Sequence, residues 1–281
     1  MLVRDAEQSS AGELEVFMLR RNLRSGFIGG AHVFPGGALD PEDRTPAMLA
    51  RCAGLDDAGA CKFVGRGPGA LGFWVAAIRE TFEEAGVLLA RSAATDTPVD
   101  VGAPGLAERL AAARRAVATG ERTLLDVVLE HDLVLDCGAL AVIARFITPK
   151  GAARRYDTWF FVAAAPHGHA YLHDDDETIG SEWLLPSDAL DRARRKELDI
   201  LYPTFRALQL LTYFRSASEL LGAVHRVWQA DPDPLQRVPG RAGWTLRLPG
   251  IDGANDEADA RRHGTRSGPR PRVQEGSACP T

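Results

Sequence analysis

Between Trp74 and Val87 the chain is committed to a helix with an unusual end. Val75, Ile78, Phe82 and Ala85 recur at intervals of three, four and three, the spacing of a single buried helical stripe. Glu80, Glu83 and Glu84 fall opposite it, and at about 100° per residue they cover roughly 100° of the helix surface. Arg79 stands one turn from Glu83 and can hold it in place. Gly86 reads as the residue that ends the helix, so Glu83 and Glu84 occupy its last turn. There the helix macrodipole disfavours each negative charge by about 0.3 to 1 kcal/mol. Glu80 and Glu84 add a like-charged i,i+4 pair, costing about a few tenths of a kcal/mol more. Acids opposite an apolar stripe are ordinarily the wet face of an amphipathic helix. Acids that collect several local penalties at one place point to function. A hard divalent cation, Mg2+ or Mn2+, takes clustered carboxylate oxygens and would remove the penalty.

Upstream, Gly26 to Asp43 reads GFIGGAHVFPGGALDPED, an apolar strand end running into Pro35, Gly36 and Gly37. Paired glycines permit positive φ and close approach of backbone to a ligand, so Gly36 and Gly37 can offer amides or carbonyls to a phosphate or a metal.

Together the two segments resemble the signature of the Nudix hydrolases: a glycine, a later acid, then REUxEExGU, where U is a bulky aliphatic residue. Gly37, Asp43 and Arg79 to Val87 occupy those places, with Asp43 standing where Glu is usual. About 35 residues separate Asp43 from Arg79, so the box is interrupted. GAHVFPGG before the gap and AIRETFEEAGVLL after it look like the subgroup that includes the peroxisomal coenzyme A diphosphatases of animals. The resemblance continues through ITP at Ile147 to Pro149, RRYDTWFFVA at Arg154 to Ala163, and Glu177 followed by Trp183. It implies an α/β/α sandwich with a mixed sheet. It also implies metals that bridge a pyrophosphate, neutralise its charge and bring a water in line to a phosphorus. By the same resemblance Glu83 and Glu84 are metal ligands, Glu80 is a ligand or the base, and Gly37 adds its carbonyl. Arg79 orients a glutamate, and Glu177 in a late loop serves as base or ligand.

Substrate phosphates call for cations, and Arg20, Arg21, Arg154 and Arg155 are the candidates for bidentate clamps. The run Asp174, Asp175, Asp176 reads as a solvated turn, and His32 and His173 as structural histidines that could also act as a base. Three classes of function remain. The first is hydrolysis of coenzyme A or acyl-coenzyme A to 3′,5′-ADP and (acyl-)phosphopantetheine. The second is hydrolysis of another nucleoside diphosphate derivative, an ADP-sugar or a dinucleotide. The third is a catalytically silent nucleotide sensor, against which the intact Glu80, Glu83 and Glu84 weigh. The fuller coenzyme A signature of other Nudix members places an arginine four residues before the glycine of GxxxFPGG; here that position is Gly26, with Arg24 out of register.

The rest of the chain sets limits. With 281 residues, 45% hydrophobic and 25% charged, it can bury one good-sized core with insertions. The reading is one domain over 1–251, with a loop-like insertion at 44–72, accessory helices at about 100–135 and a disordered tail at 252–281, rich in Gly, Pro, Arg and Asp. No run approaches the roughly 18 apolar residues of a membrane span. A net charge of −5 argues against a nucleic-acid partner. The expected partner is a small nucleotide, with a homodimer left open. The start MLVRDAEQSS is unlike a signal peptide and the end CPT unlike a peroxisomal tripeptide, so the cytoplasm is the expected location. Cys52, Cys61, Cys137 and Cys279 form no CxxC pair and read as free thiols; a zinc site at Cys52 and Cys61 would lack two ligands.

Strands are expected at Leu14 to Leu19, Leu140 to Ile147 and Thr158 to Ala165. Helices are expected near Pro46 to Ala53, at Pro104 to Ala118, at Thr123 to Glu130, at Ser187 to Arg195 with a serine cap, and as one long helix at Pro203 to Leu221.

Overall fold

The computed structural model describes residues 1–6, 13–22, 29–65, 67–101, 103–152, 154–169, 171, 178–231, 233–237 and 243–247. Glu177, Asp174 to Asp176, His173, Arg24, Gly26, Cys279 and the 252–281 tail lie outside the described residues.

In chain order the elements are β1 (Leu2–Asp5), β2 (Leu14–Arg21), β3 (His32–Val33), α1 (Pro46–Leu49), β4 (Cys52–Ala53), α2 (Asp57–Val64), α3 (Gly72–Ala85), β5 (Ala90–Ser92), α4 (Leu106–Ala118) and α5 (Leu124–Glu130). There follow β6 (Leu133–Asp136), β7 (Ala141–Ile147), β8 (Asp157–Ala164), β9 (Thr178–Leu184), α6 (Pro186–Arg194), α7 (Tyr202–Leu211), α8 (Ala217–Ala230), β10 (Leu235–Arg237) and β11 (Gly243–Leu246).

The large sheet is mixed, running β10-β11-β7-β8-β1-β2-β3 with β9 also on β2. Val16 of β2 pairs with Val3 and with Leu184, which puts β1 and β9 on opposite edges of β2. Strand β1 is parallel to β8, with Leu2 opposite Ala163, and joins the two antiparallel parts. The period-two alternation of a strand separates the two faces. Phe161 packs on Trp74 of α3 at 4.9 Å, whereas its neighbour Phe160 meets Phe146, which stacks edge-on to Tyr202 of α7. The sheet is thus covered by helices on both faces, an α/β/α arrangement.

The stripe of α3 is buried as its period requires: Trp74, Val75, Ile78, Phe82 and Ala85 are all at 1% exposure or less. Side chains of this size contribute about 1.5 to 3 kcal/mol each when fully buried. No helix among the described residues is long and apolar enough to cross a membrane.

The 44–72 segment is not loop-like. It holds α1, β4 and α2, and it contributes Met48, Ala60, Val64, Ala70 and Leu71 to the same core as Trp74 and Ile78. Strand β4 pairs in parallel with β6, opposite β5, in a second sheet of three strands. Gly54, at φ +78°, lies so close to Gly138 that an added Cβ would sit 2.7 Å from the Gly138 Cα. The carboxylate of Asp57 takes the amides of Gly69 and Leu71 at 2.8 and 2.9 Å, which fixes the approach to α3. Glycine and proline here serve turns between packed elements, which composition alone does not separate from a loop.

Two helix expectations also change. No side chain caps α6, because Pro186 rather than Ser187 opens it. The helix expected over 203–221 is two helices, since Ser216 accepts from the Glu219 amide and starts α8 afresh. By contrast α4 and α5 fall at the expected accessory positions, with Thr123 and Asp126 forming a reciprocal cap. Cys52, Cys61 and Cys137 are free thiols.

Candidate active site

The acidic end of α3 is not a wet face. Glu84 is 6% exposed and Arg79 7%, and the side chains of Glu80 and Glu83 are largely covered. Arg79 is the hub. Its Nε and Nη2 donate to the two oxygens of Asp43 at 3.0 and 3.1 Å, a bidentate pair, and Nη2 also reaches the Ala38 carbonyl at 2.7 Å. Its Nη1 donates to Glu80 at 2.9 Å and to Glu83 at 3.2 Å. Burial opposes the charge on Arg79, but the Asp43 hydrogen bond and the carboxylates of Glu80, Asp43 and Glu83 outweigh it and raise its pKa. For Glu83 burial wins: its pKa is raised although Arg79 pulls the other way.

The glycine turn closes over this hub. Gly36 donates its N–H to Glu84 Oε2 at 2.8 Å. A Cβ on Gly37 would lie 2.4 Å from Glu80 Oε1, so any larger residue there would have to push the Glu80 carboxylate aside. Asp43 sits in a 3-10 turn, Glu42–Arg44, is 1% exposed and also accepts the Asp40 amide at 2.8 Å. The structure therefore brings Arg79, Glu80, Glu83, Glu84, Gly36 and Gly37 together, with Asp43 as the main partner of Arg79.

The helix end is built to keep its last turn. Gly86 adopts the left-handed conformation, φ 70°, and its N–H returns to the Phe82 carbonyl. That 5→1 bond makes an αL cap, and the Val87 N–H reaches the Thr81 carbonyl at 3.4 Å. The carbonyls of Glu83 and Glu84 are taken by Arg114 of α4, from Nε at 2.8 Å and Nη2 at 2.9 Å. Arg114 was invisible in the sequence, because an amphipathic pattern tells which face is buried but not which helix it meets.

The proposed phosphate cations are more dispersed. Arg154 and Arg155 lie on the exposed turn joining β7 to β8, where Arg155 donates to the Thr148 carbonyl at 3.0 Å. That strand pair meets α3 at its first turn, with Trp159 on Phe73, and about 16 Å of helix rise separates Phe73 from Glu84. Arg20 and Arg21 close β2, with Arg20 opposite His32 of β3 and Gly180 of β9. The His32 backbone N–H donates to the Asp199 carbonyl at 2.7 Å, and its ring Nε2 is 3.4 Å from Glu182, which Arg192 grips through both oxygens.

Among the described residues no three His, Cys, Asp or Glu side chains converge as a ready metal cage. The donors are nevertheless all hard oxygens, the class that suits Mg2+ and Mn2+. Mg2+ in phosphate chemistry asks the protein for only one or two carboxylates, substrate oxygens and water supplying the rest. Glu80 and Glu83, sharing one Arg79 nitrogen, and Glu84, facing Gly36, fit that demand.

A family profile described as the NUDT19 Nudix domain matches residues 61–211, more than half of the chain. The chain belongs to the Nudix hydrolase family. The matched range contains the acidic end of α3 and Arg114, whereas Gly37 and Asp43 precede it. Among curated relatives, the human acyl-coenzyme A diphosphatase NUDT19 is 33% identical over 234 residues, covering 73% of this chain and 62% of that protein. The chicken protein of the same name is 32% identical over 244 residues, covering 74% and 64%. The chain thus spans less than two thirds of the length of these relatives. Among solved structures, a Nudix hydrolase from Alicyclobacillus acidocaldarius aligns with a TM-score of 0.61 at 28% identity, covering 79% of this chain and 93% of that one. The Nudix assignment accounts for the two-sided mixed sheet and for the helix carrying RETFEEAGV.

Proposed function

We propose that this Nudix chain hydrolyses the pyrophosphate of a nucleoside diphosphate joined to another group, with coenzyme A or acyl-coenzyme A as its preferred substrate. The products are then 3′,5′-ADP and (acyl-)phosphopantetheine. The observation that carries the proposal is the hub itself: three carboxylates at the end of a buried helix, held by Arg79 and met by the backbone of Gly36 and Gly37. The relatives named acyl-coenzyme A diphosphatase support the choice of substrate.

In this reading Glu80, Glu83 and Glu84, with the Gly37 carbonyl, hold Mg2+ or Mn2+. When bound, such a cation neutralises phosphate charge and acts as a Lewis acid on it. The chain's own work is positioning. Arg79 sets the spacing of Glu80 and Glu83, and the Gly36 amide sets Glu84, so the carboxylates are arranged before substrate arrives. Water adds to one phosphorus, the bridging P–O bond breaks, and the bridging oxygen leaves with the other phosphate. A carboxylate takes the proton; Glu80 of the cluster and, by the family resemblance, Glu177 are the proposed bases. Arg20, Arg21, Arg154 and Arg155 are the proposed cations for the outer phosphates.

The test is a substrate panel with product analysis in Mg2+ and in Mn2+. Coenzyme A species should be cleaved fastest, dephospho-coenzyme A roughly tenfold or more slowly, a difference of about 1.4 kcal/mol. Faster cleavage of an ADP-sugar or a dinucleotide would move the assignment to that class. Glu84→Gln should abolish turnover while the melting temperature stays level or rises, because one charge leaves a like-charged last turn. Wild-type turnover in that variant would sink the metal assignment.

A further inference from the structure

Arg114 meets the acidic end of α3 through its main chain. Arg79 occupies carboxylate oxygens of Glu80 and Glu83. Arg114 instead reaches the main-chain carbonyls of Glu83 and Glu84 at 2.8 and 2.9 Å, from a helix that begins some 20 residues after the Nudix box ends. Those two carbonyls are among the last four of α3, which have no partner inside the helix. A cation there also lies at the negative end of the macrodipole.

Gly86 belongs to the same arrangement, since a Cβ on it would come within 3.1 Å of Arg114 Nη1. Around the helix end, backbone cap, glycine and arginine act on the main chain, while the side chains take other partners: Glu83 meets Arg79 at 3.2 Å and Glu84 the Gly36 N–H at 2.8 Å. Support through the main chain is thus separated from occupation of the side-chain oxygens.

We propose that Arg114 is a positioning residue of the active site: by clamping the carbonyls of Glu83 and Glu84 it holds their carboxylates in the spacing that a divalent cation needs, and it makes the accessory helix α4 a working part of the catalytic unit. The proposal rests on the metal-holding reading of Glu80, Glu83 and Glu84. Its consequence is that metal affinity should depend on a residue that touches no metal.

The experiment compares the wild type, Arg114→Ala, Arg114→Lys and, as a control from the exposed side of α4, Arg115→Ala. Mn2+ binding is read by electron paramagnetic resonance without substrate, and amide hydrogen exchange is read in the metal-free protein. Arg114→Ala should weaken Mn2+ binding about tenfold or more and speed exchange at the Gly86 and Val87 amides about tenfold, with mid-helix amides of α3 unchanged. Arg114→Lys should lie between, Arg115→Ala should match the wild type, and added guanidinium should restore part of the Mn2+ affinity of Arg114→Ala. If Arg114→Ala does not fold, the Lys variant and guanidinium titration of Arg114→Gln carry the same comparison. Unchanged Mn2+ affinity in Arg114→Ala overturns the proposal, as does a loss matched by uniformly faster exchange along α3. A wild type that binds no Mn2+ sinks the metal reading itself, a result distinct from either.

Discussion

Asp43→Asn removes one charge from the centre of the hub at nearly constant volume. Asp43 is 1% exposed, and its oxygens receive Arg79 Nε at 3.0 Å, Arg79 Nη2 at 3.1 Å and the Asp40 amide at 2.8 Å. Asparagine keeps one of the two acceptors, and its NH2 must then face either the Arg79 Nε or the pair Nη2 and Asp40 N–H, donor against donor. The variant loses at least one charge-assisted hydrogen bond, worth about 1.5 to 3 kcal/mol. Removing one partner of a buried ion pair costs about 3 to 5 kcal/mol in general. Arg79 retains Glu80, Glu83 and the Ala38 carbonyl, so the low end of that range, about 3 kcal/mol, is the expected loss. In a domain of this size each kcal/mol shifts the melting temperature by about 2 to 4 °C, giving a fall of roughly 6 to 12 °C. A second effect follows from the geometry. Without Asp43, Arg79 leans onto Glu80 and Glu83 and occupies oxygens that a cation needs, so the Mg2+ concentration for half-maximal turnover should rise. Thermal unfolding and a Mg2+ titration of activity, each on protein with an unchanged circular dichroism spectrum, make the measurement. A melting temperature within about 2 °C of wild type, together with an unchanged Mg2+ midpoint, would refute the reasoning that the Asp43 charge holds Arg79 off the glutamates.

Replacing residues 46–65 by a short linker should prevent folding, because Met48, Ala60 and Val64 leave the core and β6 loses its partner β4; a cooperative melt near the wild-type temperature would show the segment to be dispensable. Acid should destabilise the protein through His32, whose pKa is lowered by burial and by Arg20 and Arg192, against the opposing pull of Glu182 and the Asp199 backbone. As the folded pKa lies below the ordinary 6.5, the unfolded chain binds more protons there, so this contribution is present above 6.5 and is lost as pH falls below it; His32→Gln should flatten the stability profile below pH 6.5, and an unchanged slope would remove His32 from the account.

Much of this architecture is written in patterns short enough to read locally. The α3 stripe is periodic over several turns, and β7 and β8 are apolar runs of strand length, so each announces itself. Strand β1 is four residues followed by polar ones, and it is held between β2 and β8, a pairing that no local pattern encodes. The break between α7 and α8 was legible, since Ser216 stands three residues before Glu219, but the apolar stripe through Phe214 masks it. At the site, the glutamates stand out by the penalties they incur together. The family signature singles out Asp43 but not its pairing with Arg79, and Arg114 does not stand out at all, because both are contacts across long separations in the chain.

That separation bears on how the molecule reaches its final state. Asp43 and Arg79 are 36 positions apart, and closing a flexible loop of that length costs about 3 kcal/mol in entropy. The chain between them makes its own shorter closures first: Asp57 reaches Gly69 and Leu71 across 12 and 14 positions, and α1 and α2 condense the rest. Each local closure shortens the span that remains open, so the arginine hub is favoured to assemble after the intervening segment has folded. The brace of the acidic helix end is then tied in time to a segment that lies outside it, and a chain arrested before that segment closes holds its glutamates without Asp43 beside Arg79.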